Sequence, residues 1–246
     1  MPLTGLIVIS DDGRRLWTAA RRELRRSGWF GFLDVVAYRL YARIRLHASE
    51  QAWKARQLER LKSAYRVNLE DVPRAVVTNP NSEAAKGFLN AVKPDIVIAR
   101  CKFILESEIF EVARVGTFAL HPGVCPEYRN AHGCFWALVN RDLDRVGMTL
   151  LQIDKGIDTG PVYLQAGCAV DEIAESPVVI QYRVVMENLD RIAATLIDLC
   201  NGVRVDPIST KGRRSAVWGQ PRLTRYLRWK RAARAQSNAA SFPAVS

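Results

Sequence analysis

His121 closes a short apolar run, Phe118 to Leu120, and Pro122 and Gly123 follow it at once, so its imidazole sits where a strand turns into a loop. A second apolar run, Met148 to Ile153, leads into a loop that carries Asp154, Gly156, Asp158 and Gly160. A histidine with a carboxylate in reach is the minimal equipment for moving protons near neutral pH. If the two runs are parallel strands lying side by side, His121 and Asp158 share the carboxyl edge of the sheet, where open α/β sheets bind ligands. A lone loop histidine is ordinarily structural. Here Pro122, the downstream loop and their order weigh for an active-site position. Asp154 is expected to shape its loop rather than react.

The elements that would position this pair are visible along the chain. Gly5 to Ser10, Ala75 to Thr78, Asp95 to Ala99 and Val162 to Val170 read as strands, the first ended by an Asp11-Asp12-Gly13 turn. No G-x-G-x-x-G follows that first strand, so the usual glycine cradle for a nucleotide phosphate is absent. Helices are expected up to Gly28, from Phe30 to Ile44, over Glu50 to Tyr65, from a Ser82 cap through Ala91, near Glu106 to Ala113, and unbroken over Pro177 to Asn201. Together these predict an α/β domain over residues 1–205, doubly wound on a mostly parallel, Rossmann-like sheet, with a basic helical insertion at about 14–66. A basic C-terminal arm, 206–246, follows, with its end expected to be disordered.

The net charge of +11 is concentrated towards the two ends, in Arg14 to Arg66 and Lys211 to Arg234. Such an excess fits a phosphorylated, nucleic-acid or anionic-membrane partner, although a basic solvated face needs no partner, which is the favoured reading of the charge alone. Phe30, Leu33, Ala37, Leu40 and Ile44 recur by three and four, with Arg39, Arg43 and Arg45 off that line. The favoured reading is a helix pair packed on the sheet. The alternative, with Trp29, Phe30, Phe32 and Tyr38 beside arginines, is an interfacial membrane face. Trp218, Tyr226 and Trp229 among arginines either stack bases or dock on their own domain, with equal weight. The five cysteines show no C-x-x-C pair and read as reduced thiols in a cytoplasmic protein, and three scattered histidines make a structural zinc site improbable. No apolar stretch resembles a signal peptide or a membrane span.

Three runs in the central stretch resemble the signature of the folate-dependent formyltransferases: Ala119-Leu120-His121-Pro122, Cys125-Pro126-Glu127-Tyr128-Arg129-Asn130 and Asp154-Lys155-Gly156-Ile157-Asp158-Thr159-Gly160. Pro94 to Ala99 is similar to that family's strand before the folate pocket, and the likeness extends over roughly Ala75 to Gly202. The resemblance implies transfer of a formyl group from 10-formyltetrahydrofolate to a primary amine, with His121 moving the proton and polarising the formyl oxygen and Asp158 holding it or a water. It also implies a pterin pocket lined by Arg100, Cys101, Phe103, Ile104 and Leu105, facing the loop of Asp154 and Gly156. Plain core packing is the competing account of those apolar residues.

One position departs from the pattern: the family's Asn before x-His is Ala119 here. Losing one donor to a developing oxyanion costs about 10²–10³-fold in rate, and Asn130 or His132 is the candidate substitute. The acceptor implied is a small-molecule amine, an amino sugar or similar, with nucleic acid disfavoured and a homo-oligomer left open. Two alternatives stand beside it: a formyltetrahydrofolate hydrolase, and a catalytically degenerate folate- or anion-binding protein.

Overall fold

The computed structural model describes residues 2–10, 15–65 and 69–241, so the Asp11–Gly13 turn, Arg14, Arg66 and the last five residues lie outside the described residues. In chain order the elements are β1 (Leu6–Ile9), α1 (Arg15–Tyr41), a π-helical turn (Ala42–Leu46), α2 (His47–Ala64), β2 (Arg74–Val77), α3 (Glu83–Val92), β3 (Ile96–Ala99), α4 (Ser107–Phe110), β4 (Gly116–His121), α5 (Gly133–Val139), a 3-10 turn (Leu143–Arg145), β5 (Gly147–Gln152), β6 (Val162–Gly167), α6 (Pro177–Met186), α7 (Leu189–Cys200) and α8 (Leu223–Ser241). The predicted Ser82 cap forms, its hydroxyl accepting from the Ala85 N–H at 3.3 Å.

β1 pairs with β2 and β3 with β4, both in parallel, in the α/β arrangement expected. The pairing then reverses, and β5 runs antiparallel to both of its neighbours, β4 and β6. His121 lies opposite Thr149, near the start of β5, because the chain between them returns to the edge at which β4 ends. The expected parallel side-by-side placement of the two central runs is therefore corrected.

The strands form two sheets, β1-β2 and β3-β4-β5-β6, and alternation along the strands gives each two faces. On one, Ile7, Ile9, Val77, Val97 and Ala99 pack under α3 and α4 with Leu89, Leu105, Ile109 and Phe110. On the other, Phe118, Met148, Leu150, Leu164 and Ala166 meet α5, α6, α7 and α8, with Phe135, Ile180, Leu196, Tyr226 and Trp229. Val8, Val76 and Ile98 remain exposed on this second face, beyond the reach of those helices. Trp229 and Tyr226 are among the most buried aromatics, which settles the even weighting in favour of docking on the chain's own domain.

Three helical expectations change. The helix predicted over Pro177 to Asn201 is two, because Asn188 turns its amide onto the Gly167 and Val184 carbonyls at 3.1 and 2.8 Å. Residues 237–241 continue α8 although disorder was expected from their composition. On α1 and the π-helical turn after it, Val35 and Tyr38 face the core, with Tyr41 and Ala42 packed against it, while Phe30, Leu33, Leu40 and Ile44 are exposed. The apolar line expected to pack is the outer one. A helix apolar on two sides offers two such lines, and their spacing alone does not rank them.

Candidate functional site

Ala119 and His121 project from the face of β4 opposite the main core, beside Thr149 and Leu151 of β5. The His121 ring is buried, and its Nε2 lies 2.7 Å from the Tyr128 carbonyl oxygen. A carbonyl only accepts, so Nε2 carries the hydrogen and Nδ1 is the edge left to exchange a proton. This contact requires the chain to double back tightly after Pro122. A Cβ on Gly123 would stand 2.8 Å from both His121 Nε2 and the Tyr128 oxygen, and one on Gly133 would stand 2.6 Å from the Gly123 Cα. Thr149 fastens the turn from below, its hydroxyl donating to the Gly123 carbonyl at 2.7 Å and accepting from the Cys125 N–H at 3.0 Å.

Asp158 reaches His121 despite the antiparallel strands. The loop after β5 begins beside Thr117, where the Ile153 N–H donates to the Thr117 carbonyl at 2.7 Å. Four strand residues separate Thr117 from His121, about 13 Å, and five loop residues extended can span roughly 17 Å. The loop runs back along the sheet and puts Asp158 Oδ2 3.6 Å from His121 Nδ1, with side-chain exposures of 17% and 9%. Asp158 takes the left-handed conformation, φ 51°, and its Oδ2 accepts the Asn130 N–H at 2.7 Å. Asp154 makes the bend as expected, its Oδ1 accepting from the Gly156 N–H at 3.0 Å and the Thr159 hydroxyl at 2.7 Å. A Cβ at Gly156 would meet Thr159 Oγ1 at 1.9 Å, so that bend excludes a side chain there.

The segment after α7 braces the other loop. Ala216 accepts from the Arg129 N–H at 3.1 Å, and the Trp218 N–H donates to the Arg129 carbonyl at 3.2 Å. The Trp218 ring lies between those of Tyr128 and Trp136, with centroids 5.6 and 5.0 Å away, and its Nε1 donates to the Glu127 carbonyl at 2.8 Å. Arg213 grips the Glu127 carboxylate with two bonds of 2.9 and 2.6 Å, which holds that carboxyl below the ordinary range against the opposing effect of burial. Asn130 donates its side-chain N–H to the Trp218 carbonyl at 2.7 Å.

The structure therefore unites His121, Asp158 and the backbone of Asn130, and it adds Tyr128, Thr149, Arg213 and Trp218, which sequence reasoning missed as site residues. Trp218 had a signal, an aromatic in a basic segment, but nothing in its spacing points back to residue 128. His132 stands at the start of α5 with φ 65°. Burial, then the charges of Lys102 and Arg39, push its pKa down to about 4. Neither the Asn130 nor the His132 side chain is bonded to His121 or Asp158. Cys125, beside Asp158, is no nucleophile: burial and then that carboxylate push its thiol up to about 12.

The residues named for a folate pocket divide. Leu105 belongs to the core cluster against which Cys101 and Ile153 also pack. Leu105 is core, and Arg100 lies over the Tyr182 ring, 4.8 Å from its centroid. Phe103 is half-buried, and its carbonyl accepts from the Cys101 thiol at 3.6 Å. Ile104 and Ile157, one on each loop, are left exposed. A cavity of about 480 Å³ between Phe110, Gly116, Gln152 and Asp154 lies at the far end of β4 and touches neither His121 nor Asp158. Among the described residues, no cluster of His, Cys, Asp and Glu could hold a metal ion.

A methionyl-tRNA formyltransferase of Chlorobium chlorochromatii is 31% identical over 154 residues, 60% of this chain and 46% of that protein. The corresponding protein of Thermodesulfovibrio yellowstonii is 32% identical over 117 residues, 44% of this chain and 37% of that one. The chain thus spans less than half the length of these curated relatives. A phosphoribosylglycinamide formyltransferase structure from Anaplasma phagocytophilum superposes with a TM-score of 0.50 at 15% identity, covering 90% of this chain and 100% of the other, a likeness of fold. The formyl transferase family model matches residues 46–195, well over half of the sequence and all of the His121–Asp158 site, and the chain belongs to that family.

Proposed function

We propose that this chain transfers a formyl group from 10-formyltetrahydrofolate to a primary amine on a small molecule of the amino-sugar class. The observation that carries the reading is the fixed orientation of His121, locked at Nε2 by Tyr128 and faced at Nδ1 by Asp158, inside the region matched to the family. The flat ring portions of the donor fit the residues present, because Ile104 and Ile157 offer uncovered apolar surface on the two loops that would flank them. The donor, when bound, supplies the formyl carbon. The chain's part is to hold it against Nδ1, to take a proton at that atom from the attacking amine, and to return one to the departing nitrogen. Asp158, anchored by the Asn130 N–H, keeps the ring and the proton in line.

An anionic carrier on the acceptor is supported by charge. Arg39 and Lys102 bear on His132, two residues from Asn130, and Arg26 reaches the Val217 carbonyl in the bracing segment at 3.3 Å. Tetrahydrofolate release from 10-formyltetrahydrofolate, with and without a pool of nucleotide-linked amino sugars, tests the reading beside His121→Ala. Amine-dependent release that vanishes in the variant is expected. Amine-independent formate release would mark a hydrolase, and folate binding without turnover a degenerate binder. Neither release nor binding would overturn the folate reading.

A further inference from the structure

We propose that the outer face of α1 is a docking surface for an anionic phospholipid bilayer. Phe30, Ile44 and Trp29 are 91%, 70% and 68% exposed, and Leu33, Val36 and Leu40 complete the row. At 100° per residue, Trp29, Leu33, Val36 and Leu40 fall within one narrow stripe, with Phe30 and Ile44 at its margin. The exposure is not loose packing of a marginal helix. The opposite side is pinned by Val35 and Tyr38 in the core, and Asp34 accepts from both the backbone N–H and the hydroxyl of Thr224 at the start of α8. Gly28, with φ 66° and ψ 177°, breaks the helix just before Trp29 and Phe30 and leaves both rings standing clear.

Charge selects the occupant. Arg39 and Arg43 run along one border of the stripe, and Arg21, Arg22 and Arg25 precede the break, all of them exposed, although Arg39 also donates to the Gln220 side chain at 3.2 Å. No carboxylate among the described residues forms an ion pair with any of them. An apolar stripe with aromatic residues, bordered by arginine, is the pattern of a helix lying in the headgroup layer of an anionic membrane. A second copy suits it less. A two-fold contact sets the stripe against itself and brings the same bordering arginines, none held by a carboxylate, together. No helix among the described residues is long and apolar enough to cross a membrane, so the contact is with the surface.

Flotation of the full chain with vesicles tests this independently of catalysis. Binding to phosphatidylcholine vesicles containing phosphatidylglycerol is expected, with far less to pure phosphatidylcholine and release as salt is raised. The Trp29→Ser/Phe30→Ser double variant should bind about tenfold less or weaker still, and Arg43→Ala about fivefold less. These side chains are exposed, so thermal melting should stay as in wild type. The proposal is overturned if wild type ignores anionic vesicles, if it binds both vesicle types equally, or if the variants bind as it does. A concentration-dependent dimer in light scattering that Phe30→Ser abolishes, without vesicle binding, would assign the face to a second copy instead.

Discussion

The backbone N–H of Asn130 donates to the Asp158 carboxylate at 2.7 Å, which ties the loop after β4 to the loop after β5 beside His121. Charge and anchoring are separable at Asp158. Asp158→Asn keeps an oxygen for the Asn130 N–H and removes the negative charge facing Nδ1. Its kcat is expected to fall by about 10²–10⁴-fold, the usual worth of a positioned proton-transfer system, with melting temperature little changed. Asp158→Ala also strands the Asn130 donor and should cost about 1–3 kcal/mol in stability. Equal activity in Asp158→Asn and wild type would remove Asp158 from the chemistry.

Trp218 lies 57 residues beyond the stretch of residues 118–161 that carries the motifs, yet its ring fills the gap between Tyr128 and Trp136. Tyr128 supplies the carbonyl that orients His121. Trp218→Ala is therefore expected to destabilise the fold by about 3–5 kcal/mol, as for other large aromatic truncations. Trp218→Phe restores most of the packing but not the indole bond to Glu127. It should lower kcat more than it raises KM, because a misaligned His121 is felt in the reacting geometry. A change confined to stability would make Trp218 structural only.

Ala119 projects from the same strand face as His121, beside Cys125, Leu151 and Val162. The Asn130 side chain is committed to the Trp218 carbonyl, and neither it nor the His132 ring is bonded to His121 or Asp158. With no substitute amide aimed at His121, Ala119→Asn is expected to raise kcat, by up to about 10²–10³-fold if the donor is fully recovered. Steady-state kinetics of the variant decide the matter. No gain, together with a severe loss in His132→Ala, would show that His132 already supplies the donor.

Much of this site is legible in one dimension because its parts are local. His121-Pro122-Gly123 and the Asp154 to Gly160 bend carry their conformations in their own residue types. The pairing of the two through antiparallel strands was not legible, since an apolar run of six residues reads alike in either direction. Nor was the Arg213–Trp218 brace, which depends on a return of the chain that no periodicity announces. The outer stripe of α1 shows the same limit. Its spacing declares a face, and only the folded chain shows that Val35 and Tyr38 took the inner one.

His132 makes stability depend on acid. Burial, Lys102 and Arg39 hold its pKa at about 4, against the ordinary 6.5 of an unfolded chain. Between those values the unfolded state binds more protons than the folded one, so stability rises with pH across the window and is lost as pH falls from about 6.5 towards about 4. Above 6.5 the group contributes no dependence. Melting temperatures from pH 7.5 to pH 4.5 should fall more steeply for wild type than for His132→Gln, which does not titrate. Arg39→Gln removes one of the two charges and should make the wild-type slope shallower, because His132 then protonates more readily in the fold. Parallel curves for wild type and His132→Gln would mean that the ring meets solvent freely and that the acid sensitivity lies elsewhere.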